Sequence, residues 1–154
     1  MNRLLPLLSA CLLLVTSACG SKDSGDPAKV KFAPSLGVDL NAMNLSSSGL
    51  YTQDLEVGTG AEAATGRYLE VHYTGWLPDG TLFDTSRDDN TPFPLTLGVQ
   101  PRVIRGWEEG LVGMKVGGKR RLVIPSKLGY GETGTYSIPP DSVLVFDVEL
   151  LFAR

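Results

Sequence analysis

From about residue 50 onward, apolar and polar residues alternate in short runs. Between Tyr68 and Leu77, Leu69, Val71 and Tyr73 fall on one face and Glu70, His72 and Thr74 on the other. That period belongs to a half-buried antiparallel strand, and it places His72 on the outward face. The final run, Val143 to Phe152, sets Leu144, Phe146, Val148 and Leu150 on one side. Further strands are predicted over 50–57, 81–85, 93–97 and 119–124, the last ended by Pro125. Pro78-Asp79-Gly80 is a turn, with φ fixed at the proline and a permissive glycine after it. A polar loop runs from Ser86 to Thr91, and a long one from Gly129 to Asp141 carries Tyr130, Tyr136, Ile138, Pro139 and Pro140.

One stretch breaks the alternation. In Val103-Ile104-Arg105-Gly106-Trp107-Glu108-Glu109-Gly110, the apolar positions Ile104, Trp107 and Leu111 recur at i, i+3 and i+7, one face of a short helix. Gln100-Pro101 introduces it, with Pro101 at or just before the first turn. Gly113 stands where a left-handed C-terminal cap needs a residue without a Cβ. A lone helix among strands must cover a sheet, which is the α+β arrangement. Trp107, in the middle of the helix face, offers a flat apolar surface suited to the floor of a pocket.

The first 48 residues differ in kind. Asn2-Arg3 is a short basic start, Leu4 to Val15 is an apolar run too short to span a membrane, and Thr16-Ser17-Ala18 supplies small residues before Cys19. This is the layout of an export signal over residues 1–18. Val15-Thr16-Ser17-Ala18-Cys19 also resembles a lipobox, with Thr16 where leucine is usual. It implies cleavage before Cys19, diacylation of that cysteine and attachment to a membrane, with ordinary cleavage without lipid as the alternative. Of the two cysteines, Cys11 is lost with the signal, so the mature chain has no pair for a disulfide. Residues 19–48 form a tether and amino-terminal arm. Gly20 to Lys29 is polar and without periodicity; apolar residues scattered over 30–48 either pack along the domain or form a free arm. Residues 49–154 are the folded domain.

Charge adds little. The full chain of 154 residues carries 14 basic and 17 acidic side chains, and loss of the signal removes one basic group, Arg3, leaving about −4. Nothing in that balance suggests nucleic acid. The only histidine, His72, has no cysteine or second histidine beside it, so neither a metal site nor a histidine-based triad is supported. It reads as an exposed structural residue. No G-x-S-x-G elbow occurs. Glu108 and Glu109 point in different directions on a helix and read as a solvated face. What remains is a set of aromatic and aliphatic residues around the helix, of the kind that line apolar clefts. Asp84 reads as a buried carboxylate able to orient a tyrosine hydroxyl.

Taken in order, Val71-His72-Tyr73-Thr74-Gly75, Asp79-Gly80, Phe83-Asp84-Thr85-Ser86-Arg87, Val103 through Gly110, Tyr130-Gly131, Ile138-Pro139-Pro140 and Leu144 through Leu151 resemble the FKBP-type peptidyl-prolyl isomerases. The resemblance covers residues 49–154. It implies a half-open antiparallel sheet of about five strands wrapped over the helix, with the active cleft between them. Trp107 would be the floor beneath a proline ring, with Tyr73, Phe93, Val103 and Phe146 as walls. The N–H of Ile104 and the hydroxyl of Tyr130 would bond substrate carbonyls, Phe83 and Asp84 would border the rotating bond, and Ile138 would complete the pocket. Proline-containing polypeptides are the implied substrates and macrolides the implied inhibitors, with no cofactor. The segment holding Pro101 and Arg102 is about one residue longer than the short form of the family. The loop 132–137 is about one shorter, with Thr135 near a position where many members carry histidine. A binding or chaperone module using the same cleft with little turnover is the competing reading. With Gly20 rather than Asp after Cys19, the lipid would place the protein in the outer membrane of a Gram-negative host. In a Gram-positive host it would lie on the outer face of the cytoplasmic membrane.

Overall fold

The structure, a computed structural model, describes residues 24–100 and 102–154. The predicted signal, Cys19 and Pro101 lie outside them. Seven strands form one sheet: β1 (Asn44–Leu45), β2 (Tyr51–Glu56), β3 (Tyr68–Trp76), β4 (Leu82–Thr85), β5 (Phe93–Thr96), β6 (Lys119–Ile124) and β7 (Leu144–Ala153). The order is β1-β2-β6-β7-β3-β4, with β5 also on β3, and every pairing is antiparallel. The count exceeds the expected five for two reasons. The short β1 extends the sheet beyond β2. The edge of β3 away from β7 is shared, β5 pairing with Tyr68–Val71 and β4 with Thr74–Trp76. Register shifts in β2/β6, β3/β4 and β3/β7 add local bend and twist.

The helix α1 (Arg105–Gly110) is only six residues long and has no side-chain cap. So short a helix, with two internal glycines, does not hold by itself. Packing holds it: Trp107 and Leu111 are buried among Leu122, Ile124, Phe146 and Val148 on the concave face. Arg120 of β6 closes its far end, Nη1 donating to Gly110 O at 2.9 Å and Val112 O at 3.0 Å while Nε meets Asp54 at 2.6 Å. Replacing Arg120 with alanine is expected to lower stability by about 2 kcal/mol, visible as a fall of several degrees in Tm.

Three details of the sequence reading change. Ile104 is the extended N-cap, with φ −60° and ψ 149°, so α1 starts later than Gln100-Pro101 suggested. Gly113 has φ +81° but stands beyond the right-handed C-cap Leu111, its N–H donating to Ala63 O at 2.9 Å. His72 is buried, not exposed: the turn after β4 brings Ser86 Oγ to 2.9 Å from its Nδ1, and the same hydroxyl accepts the N–H of Tyr73.

The other face of the sheet is covered too. Leu36 and Met43 of the arm bury against Val123, Val143 and Val145, with Phe32, Val38, Leu40 and Trp76 packed around them. Residues 30–48 therefore lie along the domain. Arg121, one residue from Arg120 and so on the opposite face, bonds Asp147 through Nε and Nη2, both at 2.7 Å, and donates Nη1 to Leu36 O at 2.6 Å.

Candidate active site

The cleft opens where β3 and β7 run side by side above α1. Tyr73 of β3 and Phe146 of β7 rise from the sheet, and Trp107 comes from the helix to meet them. Their rings pack edge to face: Tyr73–Trp107 at 5.0 Å and 79°, Trp107–Phe146 at 5.4 Å and 82°. Phe83 of β4 stands against Phe146 at 5.4 Å, and Phe93 of β5 against Trp107 at 6.0 Å. Such pairs hold beyond their buried area, so the walls brace one another. Gly75 makes this possible, because a Cβ there would lie 2.7 Å from both Phe146 Cε1 and Phe83 Cζ.

These rings enclose a slot of about 350 Å³, lined by Tyr73, Phe83, Asp84, Phe93, Arg102, Val103, Ile104, Trp107, Tyr130 and Phe146. Nine of the ten residues expected from the sequence are in that lining. The tenth, Ile138, is 3% exposed and belongs to the core cluster instead; it supports the cleft without facing it. Arg102 takes its place in the lining and was missed, because an exposed basic residue in a loop gives no periodic signal. The Trp107 indole is 4% exposed, and its Nε1 is buried with no acceptor among the described residues.

Asp84 is exposed on the rim rather than buried, and its Oδ2 accepts the Tyr73 hydroxyl at 2.6 Å. Burial, then that bond and the Asp84 charge, raise the Tyr73 phenol well above its usual value. Burial, then the same charge, raise that of Tyr130. Both hydroxyls thus stay protonated and able to donate past pH 10, where unfolded tyrosines ionise. Stability from the two is complete below about pH 10 and is lost as pH rises through the folded values. Catalysis that uses these donors should accordingly be flat from about pH 7 to 10; a fall of kcat/KM within that range would remove Tyr130 as a donor. Glu108 is not simply solvated: Oε2 accepts the Gly98 N–H at 2.6 Å, and Oε1 is buried without a partner. It ties the loop after β5 to the helix. Among the described residues no cluster of His, Cys, Asp or Glu is arranged to hold a metal.

Residues 60–151 match the FKBP-type peptidyl-prolyl cis-trans isomerase family. This chain belongs to that family. An FK506-binding protein of Neisseria meningitidis serogroup B is 55% identical over 104 residues, 67% of this chain and 94% of that one. Human peptidyl-prolyl cis-trans isomerase FKBP2 is 41% identical over 150 residues, 97% of this chain and 90% of that protein, a span that takes in the arm. The crystal structure of FkpA from Escherichia coli superposes with a TM-score of 0.68 at 44% identity, covering 73% of this chain and 52% of that one. In this FKBP-type domain the slot thus lies between sheet and helix, where the family resemblance placed its cleft.

Proposed function

We propose that this isomerase turns X–Pro bonds in the slot above Trp107 by solvent exclusion, shape and hydrogen bonding, without a nucleophile, and that its clients are exported proteins. Rotation about a peptide bond is opposed by about 18–20 kcal/mol, because resonance stiffens the C–N bond. The two isomers of X–Pro are nearly equal in energy, yet exchange over tens to hundreds of seconds. A catalyst for that step needs no nucleophile. It must bind the twisted amide better than either planar form. Twisting ends the charge separation of resonance and leaves a less polar carbonyl, which a dry aromatic cleft tolerates better than water does. The prolyl ring lies on Trp107, between Tyr73, Phe93, Val103 and Phe146. The preceding carbonyl swings past Phe83 and Asp84, while the Tyr130 hydroxyl and the Ile104 N–H hold the flanking carbonyls.

The observation that supports this most is the closed circuit of ring contacts around an open slot. All five aromatic wall and floor residues are present, which favours turnover over mere holding. The test is an NMR exchange or protease-coupled assay on Ala-Leu-Pro-Phe peptides with the fragment following Cys19; folded protein that gives no acceleration would end the proposal. Macrolide binding in the same slot follows from the same walls.

Export and lipid attachment rest on the run Val15–Cys19 and the absence of any cysteine after it. We place the mature protein in the cell envelope, held through acyl chains on Cys19. Its membrane is the outer one, facing the periplasm, in a Gram-negative host, or the outer face of the cytoplasmic membrane in a Gram-positive one. There, slow prolyl steps limit the folding of exported chains. Mass spectrometry of the mature protein should show Cys19 first and diacylated, and Cys19→Ser should move it from the membrane fraction to the soluble one.

A further inference from the structure

The arm lies outside residues 60–151, the segment that matches the family, yet it touches the two segments that carry the cleft's polar groups. At its start, Gly25 O accepts the N–H of Ser126 at 2.9 Å. The carbonyl of that same Ser126 accepts the N–H groups of Gly129 and Gly131, both at 2.9 Å, the two residues that flank Tyr130. Further along, the Ala33 N–H donates to Pro78 O at 2.8 Å. Pro78 opens the turn that leads into β4, where Phe83 and Asp84 stand. The fit at this turn is close, since a Cβ on Gly80 would come within 3.3 Å of Ala33 Cβ and Ser35 Oγ. Just beyond the second contact the arm is fixed to the sheet by the burial of Leu36 and by the Arg121 bond to its carbonyl.

We infer that the arm is a positioning brace for the cleft: through Ser126 and Pro78 it sets where the Tyr130 hydroxyl stands relative to Phe83 and Asp84. This rests on the isomerase reading of the cleft, but the brace itself is a statement about backbone order. Neither Ser126 nor Pro78 belongs to the sheet. Ser126 opens a single 3₁₀ turn and Pro78 sits in the turn before β4, and short turns outside a sheet open locally at lower cost than its strands. A small displacement at a catalytic group is enough to lower rate. No arm residue lines the slot, so the arm acts through the segments it holds.

Two substitutions in the full chain separate the contacts. Ala33→Pro removes the donor to Pro78, and the φ of −60° at Ala33 suits proline. Gly25→Val displaces the other contact, because a Cβ there would meet Ser126 Oγ at 2.4 Å on a backbone with φ +70°. The expected result for Ala33→Pro is a three- to fivefold loss of kcat/KM. Amide hydrogen exchange should quicken over residues 78–85 and stay unchanged over 144–150. For Gly25→Val the faster exchange falls at 126–131. Wild-type kcat/KM with exchange quickened at these segments would overturn the brace, as would loss of activity accompanied by uniform acceleration through β6 and β7. A Gly25→Val chain that does not fold leaves Ala33→Pro to decide. If the wild-type protein catalyses nothing, the isomerase reading fails, while local exchange still tests the brace.

Discussion

Replacing Asp84 with alanine is expected to lower kcat/KM about tenfold and to leave Tm within a few degrees of the parent. The carboxylate is exposed on the rim and packs against little, so its removal costs the fold little. Its one described bond is the 2.6 Å contact from the Tyr73 hydroxyl. Hydrogen bonds to a charged group are worth about 1.5–3 kcal/mol, and solvent exposure brings this one to the lower end. With about 1.4 kcal/mol to each factor of ten in rate, the tenfold figure corresponds to a contribution of that size made in the transition state. The ring it orients touches Trp107, Phe93 and Phe146, so three walls lose their common reference together. Steady-state kinetics beside a thermal melt gives the answer. Equal losses in rate and stability would mean that Asp84 serves the fold alone.

Gly106→Val should be strongly damaging although it lies outside the walls. The helix sits on β6 through its two glycines. A Cβ at Gly106 would lie 2.5 Å from Ile124 Cγ2 and 2.8 Å from its Cδ1, and one at Gly110 would lie 2.7 Å from Leu122 Cδ2. Ile124 is wholly buried and has no room to withdraw. Overpacking of this kind costs about 1–3 kcal/mol, and valine's branch adds to the crowding. We expect a loss of about 3 kcal/mol, a drop in Tm of roughly 10 °C, and kcat/KM that falls even in the folded fraction as neighbouring Trp107 lifts. Chemical denaturation measures the first, and activity per folded molecule the second. A Gly106→Val protein with unchanged melting would show that helix and sheet are not in the contact described.

How much of this was legible in the residues depends on which force decided each part. Strands β3 and β7 follow from alternation, because one face of each is apolar, while β6 was legible from the turn before it and Pro125 after it. Trp107 and its partners were legible because rings at those spacings have few other uses. His72 was misplaced. Alternation assigns it the polar side, but that side is not water: Ser86 folds back over it and satisfies its ring. Asp84 was expected to be buried beside Phe83 and instead stands at the rim; both line the slot because a register shift between β3 and β4 leaves Phe83 without a direct partner, and nothing in the sequence marks that shift. Glu108 looked solvated because nothing in the sequence shows the loop at Gly98 returning to meet it. The arm was undecided for a similar reason. Its short 3₁₀ turns and single apolar residues have no period, and only the second apolar face of β6 and β7, carried by Val123, Val143 and Val145, gives them a place to go.

The position of β7 has a consequence for how the molecule comes into being. β7, the last of the described strands in chain order, is paired on both sides, with β3 and with β6. Until its ten residues have left the ribosome, the earlier strands form two fragments with no common seam, and Phe146 is absent from the slot. Closure must therefore wait for β7 and join positions far apart in the chain, which makes for slow assembly. A nascent copy lacking β7 is neither half an enzyme nor a smaller one, and deletion of that single strand should leave no cooperative unfolding transition.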